Sequence, residues 1–165
     1  MKSFLNWLIL AVVILFGVAR FKSHQLPPAE DIRAFENDPI QQPLTDPPFS
    51  FTYADKNYVV EPVASYEISG LIVTHNNIAA FDDIYHDSSS VDIKDICLIW
   101  GDNVADDNFH KVSFWSEPWS CHYQTDDRDA FRNFVAEQLS NSHLLADDPE
   151  VREAIRSSRI GDQII

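Results

Sequence analysis

Asp95-Ile96-Cys97-Leu98-Ile99-Trp100-Gly101, residues 95–101, is the stretch on which the fold turns. Five apolar residues run on without a polar break and stop at a glycine, the pattern of a strand buried on both faces rather than one lying on a surface. On its N-terminal side, Tyr66 to Thr74 places Tyr66, Ile68 and Ile72 on one face, with β-branched residues and a bend or bulge at Gly70, and reads as a second strand. On its C-terminal side, Lys111 to Trp115 and Ser120 to Gln124 supply a third and a fourth. Close spacing with turn residues between the runs predicts a small curved sheet or barrel.

Helical signals come later in the chain. Phe131, Phe134, Val135 and Leu139 share one helical face, with Asp126 and Asp127 in place to cap its start. A second helix is bounded by Asp148 as N-cap, Pro149 at the first helical position and Gly161 beyond its end. Gly161 to Ile165 reads as a turn entering a further strand. The fold class is therefore α+β: a small β-rich curved sheet, or an OB-like barrel, with two helices.

Before this domain stands Phe4–Ala19, FLNWLILAVVILFGVA, apolar except for Asn6. As a helix it is about 24 Å long, close to a span once Lys2, Arg20 and Lys22 snorkel and Trp7 sits at an interface. Gly17-Val18-Ala19 offers small residues for a signal peptidase, but no polar stretch precedes them and basic residues follow at once. Residues 1–22 are accordingly read as one N-terminal transmembrane helix, with a cleaved signal peptide as the alternative. Lipid is contacted through residues 4–19, and the short tail ahead of them places the domain outside the cytoplasm. Residues 23–57, with Pro27, Pro28, Pro39, Pro43, Pro47 and Pro48 among polar neighbours, read as a spacer, and order is expected from Tyr58 through the domain at 58–165.

The formal charge of −14 is uneven: residues 1–22 hold three bases and no acid, which leaves nine basic against 26 acidic residues, or −17, in the rest. Such a surface repels phosphate backbones, so nucleic acid is excluded as a partner, and a basic protein partner suits it better. The sequence contains no glycine-rich phosphate loop, nucleophile elbow or CxxC pair, and no cofactor is implied. Asp82, Asp83 and His86 in FDDIYHD, and Asp102, Asp106 and Asp107 in GDNVADDN, are loose metal candidates. Neither has calcium-loop or zinc spacing, so solvated acidic loops are the simpler reading. Cys97 and Cys121, the two cysteines, are a disulfide candidate in an exported domain and plain core residues otherwise. His143 lies between the two helices, where Asn141 and neighbouring serines cap ends and the imidazole bonds backbone.

In DICLIWGD, FW, SNSHLLADD and RIGDQI, residues 58–165 resemble an uncharacterised family of small bacterial membrane-anchored proteins, with a WG strand, an N-x-H segment and a GD-x-V strand. The resemblance implies Trp100, Gly101, Asn141, His143, Gly161 and Asp162 as pattern positions and brings no established activity. The family pattern continues through a further strand, so a C-terminally truncated member is expected. The function expected is a noncatalytic binding or envelope-associated module at the inner membrane with its domain in the periplasm; the alternative is a metal-assisted hydrolase using Asp82, Asp83, His86 or His143.

Overall fold

The computed structural model describes residues 25–33, 35, 38–78 and 90–164. The apolar run is β6, Asp92–Ile99, an inner strand of a curled antiparallel sheet. Its neighbours are β5, Gly70–Asn77, on one side and β9, Leu139–Leu145, on the other, with β10, Gln163–Ile164, outside β5. Both faces of β6 are covered, which is why its apolar residues do not alternate. Cys97 and Ile99, with Leu71 and Val73, pack against Phe35, Trp100, Val104 and Phe109; Ile96 and Leu98, with Ile72, pack against Ile68, Leu144 and Ile164. Each such aliphatic side chain contributes about 1.5–3 kcal/mol on burial. Gly70 is required at the start of β5, because a Cβ there would stand 2.7 Å from the Ile99 carbonyl oxygen.

Over the first of these faces lies a hairpin of β7, Ser113–Glu117, and β8, Ser120–Gln124. Lys111 and Val112, expected to open its first strand, belong instead to the 3-10 turn Asp107–Lys111 and the link after it. Helix α1, Arg128–Asn133, starts where the Asp127 carboxylate accepts the Asp129 and Ala130 amides, at 3.0 and 2.9 Å. The Ala130 bond is the main cause that holds the Asp127 pKa below its ordinary value. This cap is therefore fully present above about pH 4 and is lost as pH falls through the lowered value. In an NMR titration, the Phe131 and Phe134 shifts are expected to stay flat down to that point and then move; in D127N the acid limb disappears.

Helix α2, Pro149–Ser157, has the expected boundaries: Asp148 accepts the Glu150 and Val151 amides, both at 2.9 Å, and Pro149 opens the first turn. Its C-terminal end is held by Lys94, 1% exposed, whose ammonium donates to the carbonyls of Arg156 (3.0 Å) and Ser158 (2.8 Å). These are the carbonyls a helix end leaves without partners. Burial lowers the Lys94 pKa, with Asp162 opposing.

Two expectations are corrected. The helical face through Leu139 ends at Asn133, because the Asn103 side chain takes over the backbone beyond it: Oδ1 accepts from Val135 N (2.8 Å) and Nδ2 donates to Val135 O and Gln138 O (2.8 and 3.2 Å). From Leu139 onward the chain pairs with the open edge of β6, so Ser140–Leu145 is a strand and not a capping loop.

Ordered chain also begins well before Tyr58. Phe35 is buried, its carbonyl accepts from Gly101 N at 2.7 Å, and Asp38 accepts from the Trp100 indole at 3.2 Å. After this come β1, Ile40–Pro43, and β2, Phe49–Tyr53, which pair with β4, Ala64–Glu67, and β3, Lys56–Val60, respectively. The two pairs are halves of one long ribbon, joined by a bond from Leu44 N to Val63 O at 3.1 Å. Pro47, Pro48 and Pro62 stand at the break between them, where residues without N–H interrupt the ladder. The turn has Ala54 and Asp55 at φ 47° and 64°, the two positive values of a type I′ hairpin. Rooted at Gly70, the ribbon reaches the other end of the sheet, where the Arg152 guanidinium lies 4.1 Å from the Tyr53 ring. Arg152, 4% exposed, also donates to the carbonyls of Ser90, Val91 and Ala146.

Candidate functional site

Register brings the site together. Asp95 pairs with His143 and Cys97 with Asn141, so all four side chains rise from the face that carries the β7–β8 hairpin. Cys97 and Cys121 are joined in a disulfide, Cα–Cα 5.8 Å, which ties β6 to that hairpin. Sequence alone left this pair open between bridge and plain core.

Beside the bridge, the His143 Nδ1 lies 2.7 Å from Asp95 Oδ1 and its Nε2 3.1 Å from Asp92 Oδ1. Asp95 is 1% exposed, and it also accepts from the Trp119 amide at 3.2 Å and from Asn141 Nδ2 at 3.5 Å. A buried carboxylate needs such donors, since burying it without them is strongly unfavourable. Trp119 follows Pro118 at the hairpin turn with φ 61°, a left-handed conformation that costs a residue with a side chain about 1–3 kcal/mol. The Asp95 bond to its amide helps to hold that shape, and the indole ring stands 6.4 Å from the imidazole, centroid to centroid.

What this arrangement can do chemically is narrow. Both imidazole nitrogens face carboxylates, so His143 has no ring atom left to activate a hydroxyl or a water. The neighbouring sulfurs are in the disulfide and are not nucleophiles. Among the described residues no group of three or more His, Cys, Asp or Glu side chains could hold a metal ion. Asp82, Asp83 and His86 lie outside the described residues, as do residues 4–19; among the described residues no helix is long and apolar enough to cross a membrane.

Trp100 and Gly101 stand apart from this cluster, at the far end of β6. Trp100, 3% exposed, is enclosed in the core. Gly101 has φ 59°, and a Cβ there would lie 2.4 Å from Gln138 Nε2, while the same amide group accepts from Asp102 N at 2.7 Å. G101A is expected to lower the unfolding free energy by about 1–3 kcal/mol, read by thermal melting; an unchanged melt would show that the turn relaxes freely.

Asp92 and Asp95 were missed by sequence reasoning. Their signal is charge inside a buried run: in Asp92-Ile93-Lys94-Asp95-Ile96 both charged residues next to the apolar core, Lys94 and Asp95, are almost wholly enclosed. On the other side of β9 a groove of 810 Å³ opens, lined by Tyr66–Ser69 at the ribbon root and by Ser140–Leu144. The chain matches no protein-family model, no curated protein and no solved structure.

Proposed function

We propose that this chain is a membrane-anchored, noncatalytic module whose domain lies in the periplasm and binds a protein partner. The observation that carries the reading is the apolar surface of the ribbon. Ile40, Phe49, Val59, Val63 and Tyr66, all on or between its strands, are from 47% to 76% exposed. By register Phe49 and Val59, like Ile40 and Tyr66, point to opposite faces of the ribbon, so the partner would enclose the ribbon rather than lie on one side of it. Support for the compartment comes from the Cys97–Cys121 bridge, which persists in oxidising surroundings. The apolar segment at 4–19 supports the anchor. The resemblance to a membrane-anchored family points the same way, and the curled sheet is read as an incomplete OB-like barrel. The charge of the chain favours a basic partner over nucleic acid. For a metal-assisted hydrolase, His143 is the candidate that lies among the described residues, and its two ring nitrogens are committed to Asp92 and Asp95.

The test is a photo-crosslinking side chain placed at Val59, Val63 or Tyr66 of the full chain in intact cells, with Glu153 on exposed α2 as control. A discrete protein adduct from the ribbon positions, absent from the control, is expected. No adduct from any of the three would overturn the reading. Protease added after only the outer barrier is opened should digest the domain; protection until the inner membrane is lysed would place it in the cytoplasm.

A further inference from the structure

We propose that β9 accepts an added strand: an extended, basic segment of the partner lies in the groove between β9 and the ribbon root, hydrogen-bonded to the outer edge of β9. This rests on the protein-binding reading and assigns it a place and a mode.

The backbone phase of β9 defines that edge. Ile72 exchanges bonds with the β10 side, its N–H to Asp162 O at 2.9 Å and its O from Gly161 N at 2.8 Å, so Leu71 and its partner Ile99 face each other. Leu98 then turns toward β9. Consistently, Trp100 N donates to Gln138 O at 3.3 Å. Pairing alternates along an antiparallel ladder, so Ser140 and Ser142 bond to β6 while Asn141 and His143 direct their N–H and C=O outward. Among the described residues no backbone group of another element bonds to them, and the contact found there is local, Ser140 Oγ at 3.5 Å from Asn141 O.

Natural sheets protect such an edge with lysine, proline, a bulge or a covering element. Over residues 139–144, β9 has no lysine and no proline, and the register shift opposite it falls at Asp92/Lys94, at the far end. What faces the edge instead is the 810 Å³ groove. Serines at 69, 140 and 142 leave its walls low, while Tyr66, Ile68 and Leu144 offer apolar contact, the combination that receives alternate side chains of an added strand. Charge selects the occupant. Glu67 lines the groove, and 26 acidic residues against 12 basic ones attract a basic segment and oppose a second copy of this chain.

The full chain in detergent is panned against a displayed library of random octapeptides, and the selected peptides are titrated while backbone amide exchange is read. Selected peptides should carry Lys or Arg among β-branched residues, and should slow exchange at Asn141 and His143 by about tenfold or more with little change at Ser140 and Ser142. S142W, which fills the groove, should weaken binding by about tenfold while keeping the disulfide and the melting temperature; S69W fills the opposite wall if S142W does not fold. Selection of acidic or helix-forming peptides, failure to select any, or unchanged Asn141 and His143 exchange would overturn the proposal. Protection of those amides by dimerisation of the chain alone would make the occupant a second copy and overturn it too. If crosslinks from Val59 persist in any of these cases, the protein-binding reading stands and only the strand addition falls.

Discussion

D95A is expected to lower the unfolding free energy by about 3–4 kcal/mol, the largest effect of any single substitution at the site. Asp95 is 1% exposed, and its loss leaves His143 Nδ1 and the Trp119 amide without their acceptor at once. For a chain of this length the melting temperature should fall by about 6–16 °C. H143A should cost less, about 1–2 kcal/mol, because its side chain is 25% exposed and Asp95 retains the Trp119 and Asn141 donors. The two changes share one bond, so the double variant should cost less than the sum of the single ones by about 1–2 kcal/mol. Denaturant titrations of the four proteins measure this directly. Additive costs, or a D95A penalty under about 1 kcal/mol, would mean that the cluster is not a unit. Trp119 fluorescence supplies a local readout, since the turn it occupies at φ 61° is tied to Asp95.

C97A/C121A is expected to destabilise the domain by about 3 kcal/mol, because the bridge closes a loop with a sequence separation of 24 and limits the unfolded chain. The same bridge fixes the hairpin over β6, so its removal should also loosen the Asp95–Trp119 contact. Paired melts of the double variant and of the wild type, each with and without reductant, test both points. Reductant should lower the wild-type melt toward that of the variant and leave the variant unmoved. A double variant within about 1 kcal/mol of wild type would show that packing against Cys97, rather than the covalent tie, holds the hairpin. Coupling between the bridge and the His143 cluster is visible as a lower cost of D95A in the bridge-free background.

Local chemistry determined what the sequence made legible. The unbroken apolar run at 96–100 could only be satisfied by cover on both faces, and β6 has it. Asp148, Pro149 and Gly161 bounded α2 because capping and proline geometry act within one turn of chain, and Asp127 started α1 for the same reason. The β7–β8 hairpin was readable because its two runs flank a short turn. Tertiary structure alone decided the rest. Ser140-Asn141-Ser142-His143 has no strand periodicity of its own and extends because β6 offers an open edge, while Asn103, far away in sequence, ends the helix before it. The proline-rich segment became half of a ribbon because Pro43 ends β1 and Pro47 and Pro48 fall where the ladder is interrupted, a matter of register that composition does not contain. Above all, His143 meets Asp95 and Asp92 across 48 and 51 residues of chain, and Cys97 meets Cys121 through the placement of a hairpin. Pairing at such separation is fixed by strand register and packing, which no short window of sequence encodes.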